Sequence, residues 1–299
     1  MIDLRYHITS IVAVFLALAI GILIGSTIVG DNLMVDQQKK LIDRLEEQFT
    51  ALHESEDELK ARNQYQEKII SQYENYSQSM LPILIKQRLE GYKAGIVVTG
   101  GSDIPAGMLN SLSIAGVNVV SKTVVLSEVN LNNQEVRTRL IQFYNLDAKT
   151  SVDSIRMQVA DSVASILMGQ ADAAVLALLQ ELGLIKMDGL TDETLDGVII
   201  VGGTNDDNLA YPYSFDQGLI LTLLNGGKKV YGVENSEILT SYMEEYQKHN
   251  ISTIDNIDLS PGQISLILAM AGEPGHYGIK PTAKRFIPTL PVEKIGGQP

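Results

Sequence analysis

Hydrophobic and polar positions divide the chain into three stretches of different period. From Ile8 to Gly30 the sequence ITSIVAVFLALAIGILIGSTIVG is uncharged and apolar throughout. At about 1.5 Å per helical residue it reaches roughly 34 Å, slightly more than the ~30 Å hydrocarbon core of a bilayer. This predicts one transmembrane helix over 8–30 behind a short tail, 1–7. An Ala17-Leu18-Ala19 triplet has the form of a signal-peptidase site, yet the apolar run continues well beyond it and Asp3 offsets Arg5, so an uncleaved anchor is expected.

The second stretch is polar and helical. Between Met34 and Met80 there is neither proline nor glycine, and Gln, Glu, Lys, Leu and Arg dominate. A heptad register places Leu45, Leu52, Leu59, Gln66, Tyr73 and Met80 at one core position, and Met34, Leu41, Gln48, Ser55, Arg62, Ile69 and Tyr76 at the other. A two-stranded coiled-coil stalk over 31–82 follows, with a single amphipathic helix packed on its own domain as the alternative. The anchor points the same way: Ala13, Ala17, Gly21 and Gly25 recur every four residues, a small-residue face that permits close helix approach. Small seam and leucine seam (Leu41, Leu45, Leu52, Leu59) together predict a parallel homodimer in the lipid bilayer.

After Pro82 the period changes again. AGIVVTGG (Ala94 to Gly101) and DGVIIVGG (Asp196 to Gly203) are short β-branched runs closed by paired glycines, the pattern of buried parallel strands. Further strands are expected at Val117–Ser121, Lys229–Glu234 and Ser252–Ile257. Helices are expected at Phe215–Leu224 and Ile238–His249, with an inserted helical pair in Val152–Leu184. Alternating strand and helix predicts a three-layer α/β domain with a mostly parallel sheet over 93–278, followed by a Pro/Gly-rich tail, 279–299.

Composition narrows the chemistry. The formal charge of −13 makes nucleic acid a poor partner. There is no cysteine, hence no disulfide and no thiolate ligand. The four histidines, His7, His53, His249 and His276, are scattered, and the nine methionines form no M-x-x-M cluster, so no metal site or cofactor is expected. Phosphate-loop, dinucleotide, nucleophile-elbow and zinc-protease signatures are absent, and no catalytic residue is assigned.

One constellation invites a ligand. Gly100-Gly101-Ser102-Asp103 and Gly202-Gly203-Thr204-Asn205-Asp206 share a strand, a Gly-Gly step, a hydroxyl residue and then an acid or amide. At the carboxyl ends of parallel strands, glycines let backbone amides approach an anion. The alternative is a purely local one, a tight turn followed by a helix cap.

Leu4-Arg5-Tyr6-His7 with the glycine-containing span behind it, and Gly275-His276-Tyr277-Gly278 with the prolines that follow, resemble the MctB-like copper-transport family of bacteria. The likeness covers nearly the whole chain in order. It implies a single-pass envelope protein with its domain outside the cytoplasm, linked in mycobacteria to copper efflux and to an outer-membrane pore. It also adds His276 and Tyr277 to the candidate ligand residues. A related branch, the SteB-like proteins, implies instead an adaptor for envelope integrity and cell separation with a membrane partner. Charge alone leaves orientation open, since Lys39, Lys40 and Arg44 follow the span and only Arg5 precedes it. One helix per chain anchors but does not conduct, and copper(I) prefers the sulfur ligands this chain lacks. A dimeric scaffold or regulator is therefore expected rather than a pore.

Overall fold

The computed structural model describes residues 4–101, 103–189, 194–206 and 209–290. The chain divides into two units, residues 1–71 and 72–299, and helix α1 (Leu4–Ile85) supplies all the described structure of the first. Its apolar segment Arg5–Ser26 is long enough to cross a membrane. Beyond it, side chains one turn apart pair on the helix surface, Lys60 with Glu56 at 2.7 Å and Arg62 with Glu58 at 2.8 Å. Such exposed pairs contribute about 0.3–0.5 kcal/mol each. Pro82, expected to close the helix, does not. Its missing N–H removes one bond, but the Lys86 N–H still reaches the Pro82 carbonyl at 3.1 Å and α1 runs on to Ile85.

The second unit is an α/β domain. Its elements are β1 (Lys93–Val98), α2 (Ala106–Ala115), β2 (Asn118–Val125), α3 (Gln134–Phe143), α4 (Val152–Leu167), α5 (Ala173–Glu181), β3 (Ile185–Gly189), β4 (Gly197–Val201), α6 (Gln217–Asn225), β5 (Lys229–Val233), α7 (Met243–Gln247), β6 (Ser252–Ile254), α8 (Ser260–Met270) and β7 (His276–Tyr277). The seven strands are ordered β3-β2-β1-β4-β5-β6-β7. Every pairing is parallel except β2 with β3.

The expected runs form the centre of this sheet because they are buried from both sides. Ile96, Val98, Ile199, Val201 and Val233 enter one hydrophobic cluster with Leu81 and Ile85 of α1, Met108 and Leu112 of α2, and the α8 residues Ile264 and Ile267. Their neighbours Val97, Val198, Ile200 and Val230 enter a second cluster with Val159 and Val163 of α4 and Leu219 and Leu223 of α6. A period of two on a strand sends alternate side chains to opposite faces, so strands covered on both sides read as continuous apolar runs.

Several elements depart from expectation. Val152–Leu184 does hold two helices, α4 capped by Ser151 and α5 capped by Asp172. Of Ile238–His249 only Met243–Gln247 is α-helical. The preceding residues are drawn into other bonds: Thr240 pairs with Thr204, and Ser241 and Tyr242 donate to the Glu234 carboxylate. Residues Pro212–Asp216 wind as a π-turn before α6. Strands β3 and β7 lie at the sheet edges, one with few buried side chains and the other two residues long, so neither carries a periodic signal.

Candidate functional site

The strand order reverses between β1 and β4, because the chain moves outward from β1 to β2 and β3 and then returns to β1's other side. At such a switch point the connections leave in opposite directions and open a crevice beyond the strand ends, where ligands of open α/β sheets bind. Both Gly-Gly steps lie there. The Thr99 N–H bonds to the Val201 carbonyl at 2.9 Å, carrying the β1–β4 pairing up to the glycines. A Cβ on Gly100 would fall 1.7 Å from the Gly203 carbonyl oxygen, and one on Gly202 would fall 2.2 Å from the Tyr246 hydroxyl. Gly101 and Gly203 have φ of 73° and 74°, a conformation that disfavours side chains. The glycines are thus required by the approach of the two loops to each other and to Tyr246.

The remaining candidates separate. Thr204 is buried, bridged to Thr240, and its Oγ1 accepts the Asp206 N–H at 3.0 Å. The Asn205 Oδ1 accepts the Leu239 N–H at 2.9 Å. Asp103 is exposed, and Ser102 lies outside the described residues. His276 and Tyr277 belong to β7, with β5 and β6 between them and the switch point. There the His276 Nδ1 meets the Thr253 hydroxyl at 3.0 Å, and the Tyr277 hydroxyl donates to the Glu273 carbonyl at 3.0 Å. Partial burial, reinforced by Lys284, holds the His276 imidazole below its ordinary pKa.

A second set of polar groups, absent from the sequence expectation, is held around the ends of the strands. Asp216 is fully buried and accepts the Tyr246 hydroxyl at 2.7 Å and the Thr99 hydroxyl at 3.1 Å. Burial pushes its carboxyl up to about 7, the two hydrogen bonds opposing the shift. Glu234, directly after β5, is fully buried and accepts from the Ser241 hydroxyl at 2.6 Å, the Tyr242 N–H at 3.1 Å and the Lys280 Nζ at 2.7 Å. Asp255, directly after β6, accepts the Ile279 N–H at 2.7 Å and the Lys280 N–H at 3.0 Å. The segment after Tyr277, set apart by composition as a tail, is thereby tied into the domain by Lys280, and Leu290 packs on the core. The one signal in the sequence was position: an acid follows each of the apolar runs ending at Val233 and Ile254.

These carboxylates have hydroxyl, amide or ammonium partners. Among the described residues no three His, Cys, Asp or Glu side chains are grouped to hold a metal ion. A sequence profile of the family described as copper transport outer membrane protein, MctB, matches residues 1–288. The chain belongs to the MctB family. It is similar to the copper transporter MctB of Mycobacterium bovis and to that of Mycobacterium tuberculosis, in each case at 26% identity over 93% of this chain and 96% of the relative. The MctB match takes in the anchor as well as the α/β domain, in agreement with the resemblance carried by Leu4–His7 and Gly275–Gly278.

Three outcomes are expected at this site. Gly100→Ala places a methyl against backbone that no rotamer can clear and should destabilise the domain by about 3 kcal/mol in urea unfolding of the detergent-solubilised protein. Lys280→Met leaves the Glu234 charge buried without its ammonium and should also cost about 3 kcal/mol; a midpoint unchanged from wild type would refute the pairing. For Asp216 the folded state holds its proton up to about pH 7, whereas the unfolded chain releases it near 3.8. Its contribution to stability is complete below the unfolded value and is lost as pH rises through the folded one. Asp216→Asn, neutral throughout, should therefore gain on wild type as pH rises from 3.8 to about 7 and level off above that, and a pH-independent difference would contradict the assignment.

Proposed function

We propose that the chain is a single-pass envelope protein of copper handling that works as a dimeric scaffold or regulator, with its α/β domain outside the cytoplasm, and not as a pore. One observation carries this reading. The described strands form an open sheet whose central residues, from Val198 to Val201, are buried on both faces, and α1 supplies the one candidate span among the described residues. A conducting path through lipid needs a closed barrel or several helices to satisfy its backbone. The domain in this reading is a three-layer sandwich, the stalk a parallel two-stranded coiled coil, and the chain has no enzymatic activity.

The copper link comes from the family, whose mycobacterial relatives are named copper transporters. Deletion of the gene should raise cellular copper, restored by the full-length chain, while the purified full-length protein should give no unitary current steps in planar bilayers. Reproducible steps would overturn the scaffold reading, and unchanged copper content would remove the link to copper. Protease added to intact spheroplasts should cleave the domain if it lies outside.

A second reading, a small-ligand sensor, is favoured by the meeting of the two Gly-Gly loops at the switch point. An SteB-like envelope adaptor shares the anchor and stalk, and a membrane partner co-purifying with the full-length chain would distinguish it.

A further inference from the structure

Between Gln72 and Ile85, inside the second unit, α1 has two different faces. Leu81 and Ile85 are buried in the core beside α2 and α8. On the same side the Glu74 carboxylate accepts the Ser260 N–H at 3.0 Å and the Ser260 hydroxyl at 2.6 Å, at the first turn of α8. Glu74 is the single ionisable acid or base in the sequence QYENYSQSMLPILI, apart from its tyrosines, and it is turned to the domain. The other face carries Tyr73, Tyr76 and Ile83, which are 70%, 64% and 61% exposed. On a protein of charge −13 this is an uncharged apolar stripe.

Its phase identifies what covers it. Tyr76 and Ile83 fall five and six whole heptads after Leu41, and Tyr73 falls four after Leu45, so they continue both positions of the stalk seam. A straight α-helix drifts about 20° per heptad against such a repeat, and the stripe stays on one side only if the helix supercoils about a partner with the same repeat. A second copy of this chain carries that repeat by construction.

We propose that the self-association seam of α1 stays in contact where the helix joins the α/β domain, through Tyr73 and Tyr76 of the stalk register and on past Pro82 to Ile83, so that two α/β domains meet along α1. This rests on the dimeric reading above. It makes the segment Gln72–Ile85 a shared wall: one face closes its own domain, the other faces the second copy. A change in the supercoil would then act on α8 through Glu74 and Ser260.

The absence of native cysteine makes the test direct. Full-length chains with a single substitution, Leu52→Cys, Tyr76→Cys, Ile83→Cys or Gln78→Cys, are treated in membranes with a short bis-maleimide, and limited proteolysis confirms the domain fold of each. Tyr73→Cys replaces either domain seam variant that fails that check. Covalent dimer is expected at 52, 76 and 83, with at least fivefold less at Gln78, which points away from the seam. Dimer at 52 but none at 76 and 83 would overturn the extension and leave the dimer standing. No dimer at any position would reject both, and equal yield at Gln78 and Tyr76 would mean collision instead of a seam.

Discussion

The pairing of β1 with β4 is the contact on which the domain depends. About a hundred residues separate the two strands in sequence, yet Ala94 to Val98 lie in unbroken parallel register with Gly197 to Val201. Closing so long a loop is entropically costly, and burial of the Val-Ile-rich strands on both faces offsets it. The pairing also creates the switch point, since the strands between β1 and β4 lie to one side of β1 and those after β4 to the other side of β4. Gly100 then meets Gly203 so closely that it cannot carry a side chain, while Gly203, at a φ of 74°, has Ile238 and Glu234 against it.

Around that centre the domain solves a problem of buried charge. Asp216, Glu234 and Asp255 each lie at the carboxyl end of the sheet, and a carboxylate there costs several kcal/mol unless paired or protonated. The three are handled differently. Glu234 takes an ammonium from a distant segment, Asp255 takes two backbone N–H groups from the same segment, and Asp216 is raised to about 7 between two hydroxyls. Lys280 therefore joins the strand ends of β5 and β6 to the far end of the chain. These carboxylates find their partners within the protein, whereas the neighbouring Asn235 Oδ1 and both side-chain polar atoms of Asn256 are buried without a hydrogen-bond partner.

Helix α1 joins lipid and protein chemistry in one element. Its first part is solvated by hydrocarbon, its middle by water, and its last turns belong to a folded core, so its residue pattern changes along its length while its backbone does not. One helix thus carries both the membrane-spanning segment and part of the domain core.

How much of this was legible beforehand depended on range. The span of Ile8–Gly30, the helical stretch to Met80, and the two runs ending in Gly-Gly were readable because hydropathy period and glycine chemistry are local properties. The edge strands β3 and β7 were not, having too few residues in period. Nor was the disruption of Ile238–His249, where local helix propensity lost to hydrogen bonds that Ser241 and Tyr242 donate to Glu234 and to the pairing of Thr240 with Thr204. His276 and Tyr277 stood in a segment that carries the family resemblance but belong to an edge strand, away from the glycines with which that resemblance grouped them. The sequence by itself therefore determined the anchor, the α/β class and the membership in the MctB family. Only the tertiary structure decided that the two glycine pairs touch, that Lys280 neutralises Glu234, and that Glu74 turns inward while Tyr76 and Ile83 stay exposed. Those are relations between distant segments, set by the order of the strands in the sheet and the packing of helices on it, and no local pattern encodes them.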